Sequence, residues 1–321
     1  MLNIRTTPEQ RRRKFREALR SGKLQRFAGA YSPLVAKLLE EQGYDGIYIA
    51  GASLSADLGL PDIALTTLTE VSQRGYQIAR ATNLPTIIDV DTGFGQPQSA
   101  YRTAREIEAM GICCMHIEDQ EEPKRCGHLD NKKITSIGTM SRRIRAAVDA
   151  RLDPNFVVMA RTDARAIEGL KGAIARAQAY VDAGADAIFA EALHNAGEYE
   201  AFRKALKVPI LANMTAFGQS DLLSADELAR IGINVVIYPN EAFRFAMKAV
   251  EENMAELLRA GTQKHLQDKL QQRSRLYELL DYADYNRFDE GLFDFEVPTG
   301  EAATAGQAQA QEQAQHVVAA K

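Results

Sequence analysis

The sequence has no large excess of either charge and no long apolar run. Its 321 residues include 39 lysines and arginines against 43 aspartates and glutamates, which gives a net charge of -4. This balance lacks the basic surplus that proteins use to follow phosphate backbones, so no nucleic acid partner is expected. No stretch approaches the roughly 18 uninterrupted apolar residues of a membrane helix, so no membrane association is expected either.

A targeting signal and a disulfide framework are also missing from the sequence. The first 20 residues read as a charged helix without the apolar core of a signal peptide. There are three cysteines, and the adjacent pair Cys113 and Cys114 cannot form an ordinary unstrained bridge. These features predict reduced thiols and a cytoplasmic protein. Hydrophobic residues make up 45% of the chain and charged residues 26%, which is average for a globular protein with a large core.

Eight short apolar stretches rich in β-branched residues alternate with segments of helical period. Near-continuous apolar strands joined by covering helices are typical of parallel sheets, and eight such units match an α/β fold, the (β/α)8 TIM barrel. An open doubly wound sheet is the alternative, but no G-x-G-x-x-G follows the first strand and no G-x-x-x-x-G-K-[ST] occurs. The predicted strands are 24–30, 44–51, 84–91, 112–119, 156–163, 185–192, 208–215 and 233–240.

After the eighth strand the chain contains more helix than one barrel needs. Residues 242–261 and 265–285 carry apolar side chains every three to four positions. Because an exposed apolar helix needs a partner surface, we expect these helices to pack on a neighbouring subunit or to cap the barrel mouth. Residues 298–321 are rich in Ala and Gln, which predicts a disordered tail after a single domain at 1–297.

Polar residues stand at the carboxyl ends of five predicted strands, the rim where TIM barrels build their active sites. A single such residue has a simpler explanation, because an Asp or Asn at a strand end often caps the next helix or turn. Convergence from five strands favours an active site. The residues are Asp89, Asp91, Glu118, Asp119, Arg161, Asp163, Glu191, Asn213 and Thr215.

The D-x-D of strand three points to a metal. Side chains alternate along a strand, so Asp89 and Asp91 are predicted to face the same side, where they repel each other unless a cation lies between them. Hard oxygen ligands suit Mg²⁺ or Mn²⁺. An isolated D-x-D has low specificity, and the metal interpretation needs Glu118 from the adjacent strand.

The long polar connection at 119–133 contains Lys124, Arg125, Cys126, Gly127 and His128 in sequence. Its length is typical of functional lids or of disorder. Nearby cations lower the pKa of a thiol, so the sequence predicts a reactive cysteine here. A solvated basic loop with an incidental cysteine is the alternative. His116, in strand four, is expected to be a satisfied core histidine.

The segments DVDTGFG, HIEDQ, KRCGH, MARTDA, AEA and ANMT, in this order, resemble the isocitrate lyase and phosphoenolpyruvate mutase superfamily. The resemblance extends through GTQKH and QQRSRLYELLDY and covers roughly residues 10–290. The KRCGH segment resembles the corresponding loop of the lyase branch of this superfamily. The C-terminal stretch resembles that of the enzymes that cleave 2-methylisocitrate in the methylcitrate cycle of propionate breakdown. The resemblance also implies a homotetramer in which a helix after the barrel is exchanged between subunits.

The resemblance implies roles for residues throughout the site. It implies that Asp89, Asp91, Asp62 and Glu118 surround Mg²⁺. It implies that Cys126 is catalytic with Lys124, Arg125, Gly127 and His128 around it, and that Tyr48 lies beside the substrate. The substrate-binding residues it implies are Arg161, Glu191, Asn213, Thr215, Arg244 and Arg273, together with the backbone of Ala50, Gly51 and Ala52.

The implied reaction is cleavage of 2-methylisocitrate into pyruvate and succinate. A base, for which Tyr48 is the candidate, removes the C2 hydroxyl proton, and Cys126 returns a proton to the succinate fragment. Developing negative charge on oxygen is stabilised by the cation and the arginines. Closure of the loop that carries Cys126 excludes water from the site.

Two departures from the family pattern leave the substrate open. Ala50-Gly51-Ala52 stands where relatives often have Ser-Gly-Gly, and Asn240-Glu241 where they tend to have smaller or less polar residues. A pocket distinguishes one methyl group by only about 1–3 kcal/mol, so related lyases or hydrolases of 2,3-dimethylmalate, isocitrate or oxaloacetate are alternatives. An alternative of another class is a non-catalytic barrel that binds a dicarboxylate.

Overall fold

The computed structural model describes residues 2–128 and 131–293. Eight parallel strands pair in chain order, and the last pairs with the first, so the sheet is a closed barrel. This confirms the predicted (β/α)8 fold. Each strand lies inside its predicted stretch and is shorter at one or both ends. The strands are β1 (Gln25–Gly29), β2 (Gly46–Ile49), β3 (Thr86–Asp89), β4 (Cys114–Glu118), β5 (Val157–Thr162), β6 (Ala187–Ala190), β7 (Ile210–Asn213) and β8 (Val235–Tyr238).

Helices follow the strands around the barrel, and several begin at a side-chain cap. Thr7, Thr67 and Ser224 form capping boxes with the Gln or Glu three residues later, which satisfies free N–H groups of the first turn. The helices are α1 (Pro8–Arg20), α2 (Pro33–Glu41), α3 (Gly51–Asp57), α4 (Leu68–Ala79), α5 (Pro97–Ala109), α6 (Ile137–Ala150), α7 (Arg165–Asp182), α8 (Ala196–Ala205), α9 (Ala225–Ile231), α10 (Glu241–Ala260), a 3-10 turn (Lys264–Lys269), α11 (Arg273–Leu279) and α12 (Tyr282–Phe293).

The first helix closes the bottom of the barrel. Phe15 is fully buried, and its ring centroid lies 5.5 Å from that of Phe27 inside the barrel. Arg12 Nε donates to the carbonyl of Ile112, just before β4, and Arg16 Nη2 to that of Phe156, just before β5. These contacts lie at the amino ends of the strands, so the carboxyl ends are the side available for a site.

The chain divides into two compact units, residues 3–270 and a C-terminal unit whose described part is 271–293. In the first unit, α10 has no buried residue and exposes Phe245, Met247, Val250, Met254 and Leu258. The second unit contains α11 and α12, where Tyr277 and Tyr282 stack at 4.9 Å. The predicted surplus helices are therefore present, although 265–285 is divided among three elements.

The predicted tail at 298–321 lies outside the described residues, and the single domain at 1–297 stays a prediction. None of the described helices combines the length and the apolar character needed to cross a bilayer.

Candidate active site

A cavity of about 210 Å³ opens at the carboxyl ends of the strands. Most of the residues predicted for the site lie in its wall, among them residues at the ends of β3, β5, β6 and β7. The predicted residues in the wall are Tyr48, Ala50, Ala52, Asp62, Asp89, Lys124, Cys126, Gly127, His128, Arg161, Glu191, Asn213, Thr215 and Arg244.

The two carboxylates of the D-x-D meet, but not as neighbours on one strand. Asp89 is the last residue of β3, and Asp91 lies beyond it with φ 47°, where its N–H donates to Asp89 Oδ1 over 3.0 Å. Aspartate tolerates this left-handed conformation better than most residues. Both carboxylates lie against Gly51, where an added Cβ would be 3.0 Å from Asp89 Oδ2 and 3.5 Å from Asp91 Oδ1. Gly51 therefore leaves room for the pair and lies behind the cavity wall.

A cation of the protein itself, the ammonium of Lys124, contacts Asp91. The Nζ of Lys124 pairs with Asp62 Oδ1 and lies 2.7 Å from Asp91 Oδ1. The lysine side chain is only 3% exposed. Burial opposes its charge, but Asp91, Glu118 and the other carboxylates outweigh it and raise the pKa of Lys124 above its usual value. Lys124 is therefore charged and holds the loop against the carboxylates.

The acidic cluster retains unused ligand capacity. Among the described residues no hydrogen-bond donor reaches Glu118 Oε1, although this atom is buried, whereas Asp91 Oδ1 is in contact with the Lys124 ammonium at 2.7 Å. Burial raises the pKa of Asp91 to about 6 and raises that of Glu118 well above its usual value. The described residues contain no preformed cage of three or more His, Cys, Asp or Glu side chains. A buried carboxylate oxygen without a donor fits a hard cation that keeps several waters, such as Mg²⁺.

A buried arginine links the acidic cluster to the other side of the cavity. Arg161 Nε lies 3.3 Å from Glu118 Oε2 and 2.9 Å from Asp163 Oδ2, and Nη2 lies 3.1 Å from Glu191 Oε2. Burial opposes the charge of each group, but Arg161 lowers the pKa of Glu191 and the carboxylates raise that of Arg161. The guanidinium also lies 5.0 Å from the centre of the Phe189 ring. Arg161 is therefore a fixed cation in the cavity wall.

The described part of the loop at 119–133, residues 119–128 and 131–133, is here called the flap and packs directly on this arginine. A Cβ added to Gly127 would lie 2.4 Å from Arg161 Nη2 and 2.5 Å from Glu191 Cγ, so only glycine fits. His128 Nε2 lies 3.1 Å from Glu191 Oε1. Lys132, which the sequence analysis did not single out, pairs its Nζ with the Gly127 carbonyl and with Asp163 Oδ1. The flap is thus closed over the cavity.

The cysteine of the flap differs from the expectation. Burial has the largest effect on the Cys126 thiol and raises its pKa, although Arg161 and a backbone hydrogen bond to His128 lower it. The expected lowering fails because burial outweighs the nearby cation Arg161, and Lys124 is paired with Asp62 and Asp91. Cys126 therefore holds its proton at neutral pH.

Arg125, which the sequence placed beside the thiol, does not reach the cavity. Its side chain is exposed, and its N–H and carbonyl pair with the amide of Gln120 at 2.9 and 2.8 Å. Sequence neighbours point to different sides of a turn, so adjacency to Cys126 did not place Arg125 in the site.

Tyr48 lies beside a buried histidine. Its hydroxyl is 2.8 Å from His116 Nε2, and His116 Nδ1 is 3.8 Å from Asp89 Oδ1. Burial lowers the pKa of His116 to about 4 and raises that of Tyr48 well above its usual value. With the ring proton on Nδ1, Nε2 accepts a hydrogen bond from the tyrosine. His116 is therefore a buried histidine, as expected, and its hydrogen-bond partner is Tyr48.

The remaining wall comes from the loops after β7 and β8. Asn213 Nδ2 donates to Glu191, and Arg244 Nη1 donates to the Ala216 carbonyl over 3.1 Å while lying over the Phe217 ring. Arg273 is the first residue of α11 in the C-terminal unit, and its role stays a prediction. The wall residues that the sequence analysis did not assign to the site are Ala216, Phe217, Gly218, Pro239 and Asn240.

The two departures noted in the sequence come together in this wall. Ala50, Ala52 and Asn240 all line the cavity, and Ser53 Oγ donates to Asn240 Oδ1 over 2.7 Å. Ser53 and Asn240 are 187 residues apart in sequence, so only the closed barrel reveals that the two departures form one surface.

Comparisons with known proteins agree with this geometry. The family model for phosphoenolpyruvate phosphomutase matches residues 15–258. The chain belongs to this family. This match confirms the resemblance to the isocitrate lyase and phosphoenolpyruvate mutase superfamily that was inferred from the motifs.

Relatives within the phosphoenolpyruvate phosphomutase family include lyases and hydrolases. The chain is 54% identical over 286 residues to "Probable 2-methylisocitrate lyase 1" of Corynebacterium glutamicum, a match that covers 89% of this chain and 94% of the relative. A crystal structure of 2,3-dimethylmalate lyase has a TM-score of 0.83 at 31% identity and covers 92% of this chain and 100% of its own. A structure of phosphonopyruvate hydrolase with oxalate and Mg²⁺ has a TM-score of 0.80 at 33% identity, and the match covers 89% of this chain and 99% of the hydrolase chain.

Proposed function

We propose that this chain is a Mg²⁺-dependent lyase that cleaves 2-methylisocitrate into pyruvate and succinate. One observation carries the proposal: the thiol of Cys126, whose pKa burial raises, lines the same cavity as the buried Arg161 and Asp89. A simple binding protein needs the cation but has no use for a proton donor, which argues against a non-catalytic barrel. The 54% identity to a probable 2-methylisocitrate lyase supports the choice of substrate.

The charges of the wall suit a small di- or tricarboxylate. Arg161, Arg244, Lys124 and His128 contribute cationic or donor groups, and Asn213 and Thr215 contribute neutral ones. The ion pairs of Arg161 with the surrounding carboxylates fix its position, so it can bind a substrate carboxylate without reorganisation. Glu191 is held ionised by Arg161 and His128 and offers an acceptor to a substrate hydroxyl.

The carboxylates Asp89, Asp91, Glu118 and Asp62 would hold the metal, directly or through water. The buried Glu118 Oε1, which no donor of the described residues reaches, supports this assignment. When bound, Mg²⁺ or Mn²⁺ supplies Lewis-acid stabilisation to the oxygens of a 2-oxo acid. Lys124 contacts the same carboxylates, so we expect its ammonium to move when the ion binds.

The protein groups complete the bond cleavage. Tyr48 Oη accepts the proton of the C2 hydroxyl while its own proton passes to His116 Nε2, which avoids a free phenolate, and the electron pair left on the hydroxyl oxygen forms the C2=O bond. Burial also opposes charge on His116, but the Asp89 carboxylate, 3.8 Å from Nδ1, offsets that penalty. The C2–C3 bond then breaks, and its electron pair moves onto the carboxylate next to C3. Cys126 Sγ donates its proton to C3, which yields succinate and leaves a thiolate beside Arg161. Burial keeps the thiol protonated until this step.

A coupled pyruvate assay tests the proposal. Purified protein with 2-methylisocitrate and Mg²⁺ should release pyruvate, and EDTA should abolish the release. Isocitrate, 2,3-dimethylmalate and oxaloacetate are the comparison substrates. No pyruvate from 2-methylisocitrate, together with turnover of one of the others, would show that the substrate assignment is wrong; no turnover at all would favour the binding protein.

We also propose a homotetramer, with the surplus helices exchanged or shared between subunits. The apolar row of α10 supports this, because Phe245 and Leu258 are 75% and 87% exposed in the single chain. Light scattering after gel filtration measures the mass directly. A monomer at micromolar concentration would contradict the proposal.

A further inference from the structure

One of the contacts between the flap and the barrel, made by Gln219, has no part in the proposed chemistry. The loop after β7 carries Gln219, whose N–H donates to His128 Nδ1 over 3.0 Å. Its side-chain Nε2 donates to the His128 carbonyl, also over 3.0 Å. One residue of the barrel thus contacts both the ring and the backbone of one residue of the flap.

This double contact determines the tautomer of His128. Because the Gln219 N–H points at Nδ1, that nitrogen is the acceptor and a neutral ring carries its proton on Nε2. Nε2 faces Glu191 Oε1 at 3.1 Å. Gln219 therefore directs the His128 N–H into the cavity, next to the flap residues Cys126 and Gly127.

The loop that carries Gln219 is itself fixed to the barrel. Glu241 Oε1 accepts from the N–H of Ala216 over 3.0 Å, and Arg244 Nη1 donates to the carbonyl of the same residue over 3.1 Å. Farther along, the N–H of Asp221 donates to the His194 carbonyl over 2.8 Å. The loop is thus held to the barrel both before and after Gln219, by contacts that do not involve the flap.

We propose that Gln219 is a positioning residue that holds the flap closed and His128 oriented for the lyase reaction. The expected change in KM rests on the proposed function, whereas the expected change in flap opening does not. A neutral, exposed hydrogen bond changes an equilibrium by roughly three- to tenfold. Loss of the side-chain bond should shift the ratio of open to closed flap by about that factor.

Alkylation of Cys126 measures this opening without any substrate. Gln219→Ala removes the amide, and Gln219→Glu keeps its shape but cannot donate to the His128 carbonyl. In both variants we expect iodoacetamide to modify Cys126 about three- to tenfold faster, as followed by mass spectrometry of the intact holoenzyme. Cys113 and Cys114 are fully buried and serve as internal controls for general unfolding.

Asp221→Ala is the matched control, because it changes an exposed residue of the same loop. In this variant iodoacetamide should modify Cys126 at the rate of the unaltered protein. In steady-state assays with 2-methylisocitrate, Gln219→Ala should raise KM about three- to tenfold with kcat within about twofold, since substrate contacts close the flap once bound.

The outcomes separate this proposal from the proposed function. Unchanged alkylation in both Gln219 variants, or an equal rise in Asp221→Ala, overturns the positioning role even if the enzyme cleaves its substrate. Faster alkylation specific to the Gln219 variants supports it even if 2-methylisocitrate is not the substrate.

Discussion

Replacing Gly127 by alanine tests whether the observed closed flap is the catalytic geometry. The new Cβ would lie 2.4 Å from Arg161 Nη2 and 2.5 Å from Glu191 Cγ. Neither partner is free to retreat, because Arg161 is also held by Glu118 and Asp163. The flap must therefore lift away from the cavity.

The size of the effect follows from the overlap. Overpacking a rigid site costs about 1–3 kcal/mol. If the whole cost falls on closure, kcat/KM should drop about 5- to 150-fold, because each 1.4 kcal/mol is a factor of about ten. The unfolding temperature should hardly change, since the flap can open without disturbing the barrel core.

Steady-state kinetics and thermal unfolding of the same preparation measure both quantities. Gly138→Ala is the control, since a Cβ there would meet nothing closer than Ser136 Oγ at 4.0 Å. Near-full kcat/KM in Gly127→Ala would refute the reasoning, because the flap would then act from another position. A large loss of thermal stability would also contradict it.

Three further predictions concern the thiol, a buried histidine and the barrel floor. Cys126→Ser should abolish turnover while ligand binding, measured by calorimetry, stays largely intact; a variant that keeps near-full rate would remove the acid role. Burial lowers the pKa of His116 from 6.5 to about 4, so the unfolded chain binds the proton first as the pH falls. Stability should therefore fall by up to about 3 kcal/mol between pH 6.5 and 4, and His116→Asn should lose that part of the slope in urea titrations. Phe15→Ala empties a fully buried position below β1 and should cost about 3–5 kcal/mol, and a cost under 1 kcal/mol would show that α1 does not stabilise the barrel.

Much of the fold was predictable because it depends on local pattern. Each of the eight apolar stretches contains a strand, and the stop signals between them mark helices. The strand ends were predicted too long, as at β3, where 84–91 contains the strand Thr86–Asp89. Composition does not reveal that Asp91 leaves the strand in a left-handed turn.

The site was predictable in membership but not in contacts. Residues at strand ends meet at one rim in any closed barrel, so Asp89, Arg161 and Glu191 were found from sequence. The contacts of the site residues could not be found in this way. Lys124 contacts the carboxylates and not Cys126, and the side chain of Arg125 faces solvent. The role of Lys132 and the Tyr48 to His116 pair carried no recognisable sequence signal.

The order of strands and helices, the barrel class and the identity of the rim residues follow from the sequence by itself, because hydrophobic period and strand-end chemistry are local properties. Only the tertiary structure decided the direction of the Cys126 pKa shift, the contact of Gln219 with His128 and the meeting of Ser53 with Asn240. These depend on burial and on distances between segments far apart in the chain, and such quantities exist only once the barrel has closed.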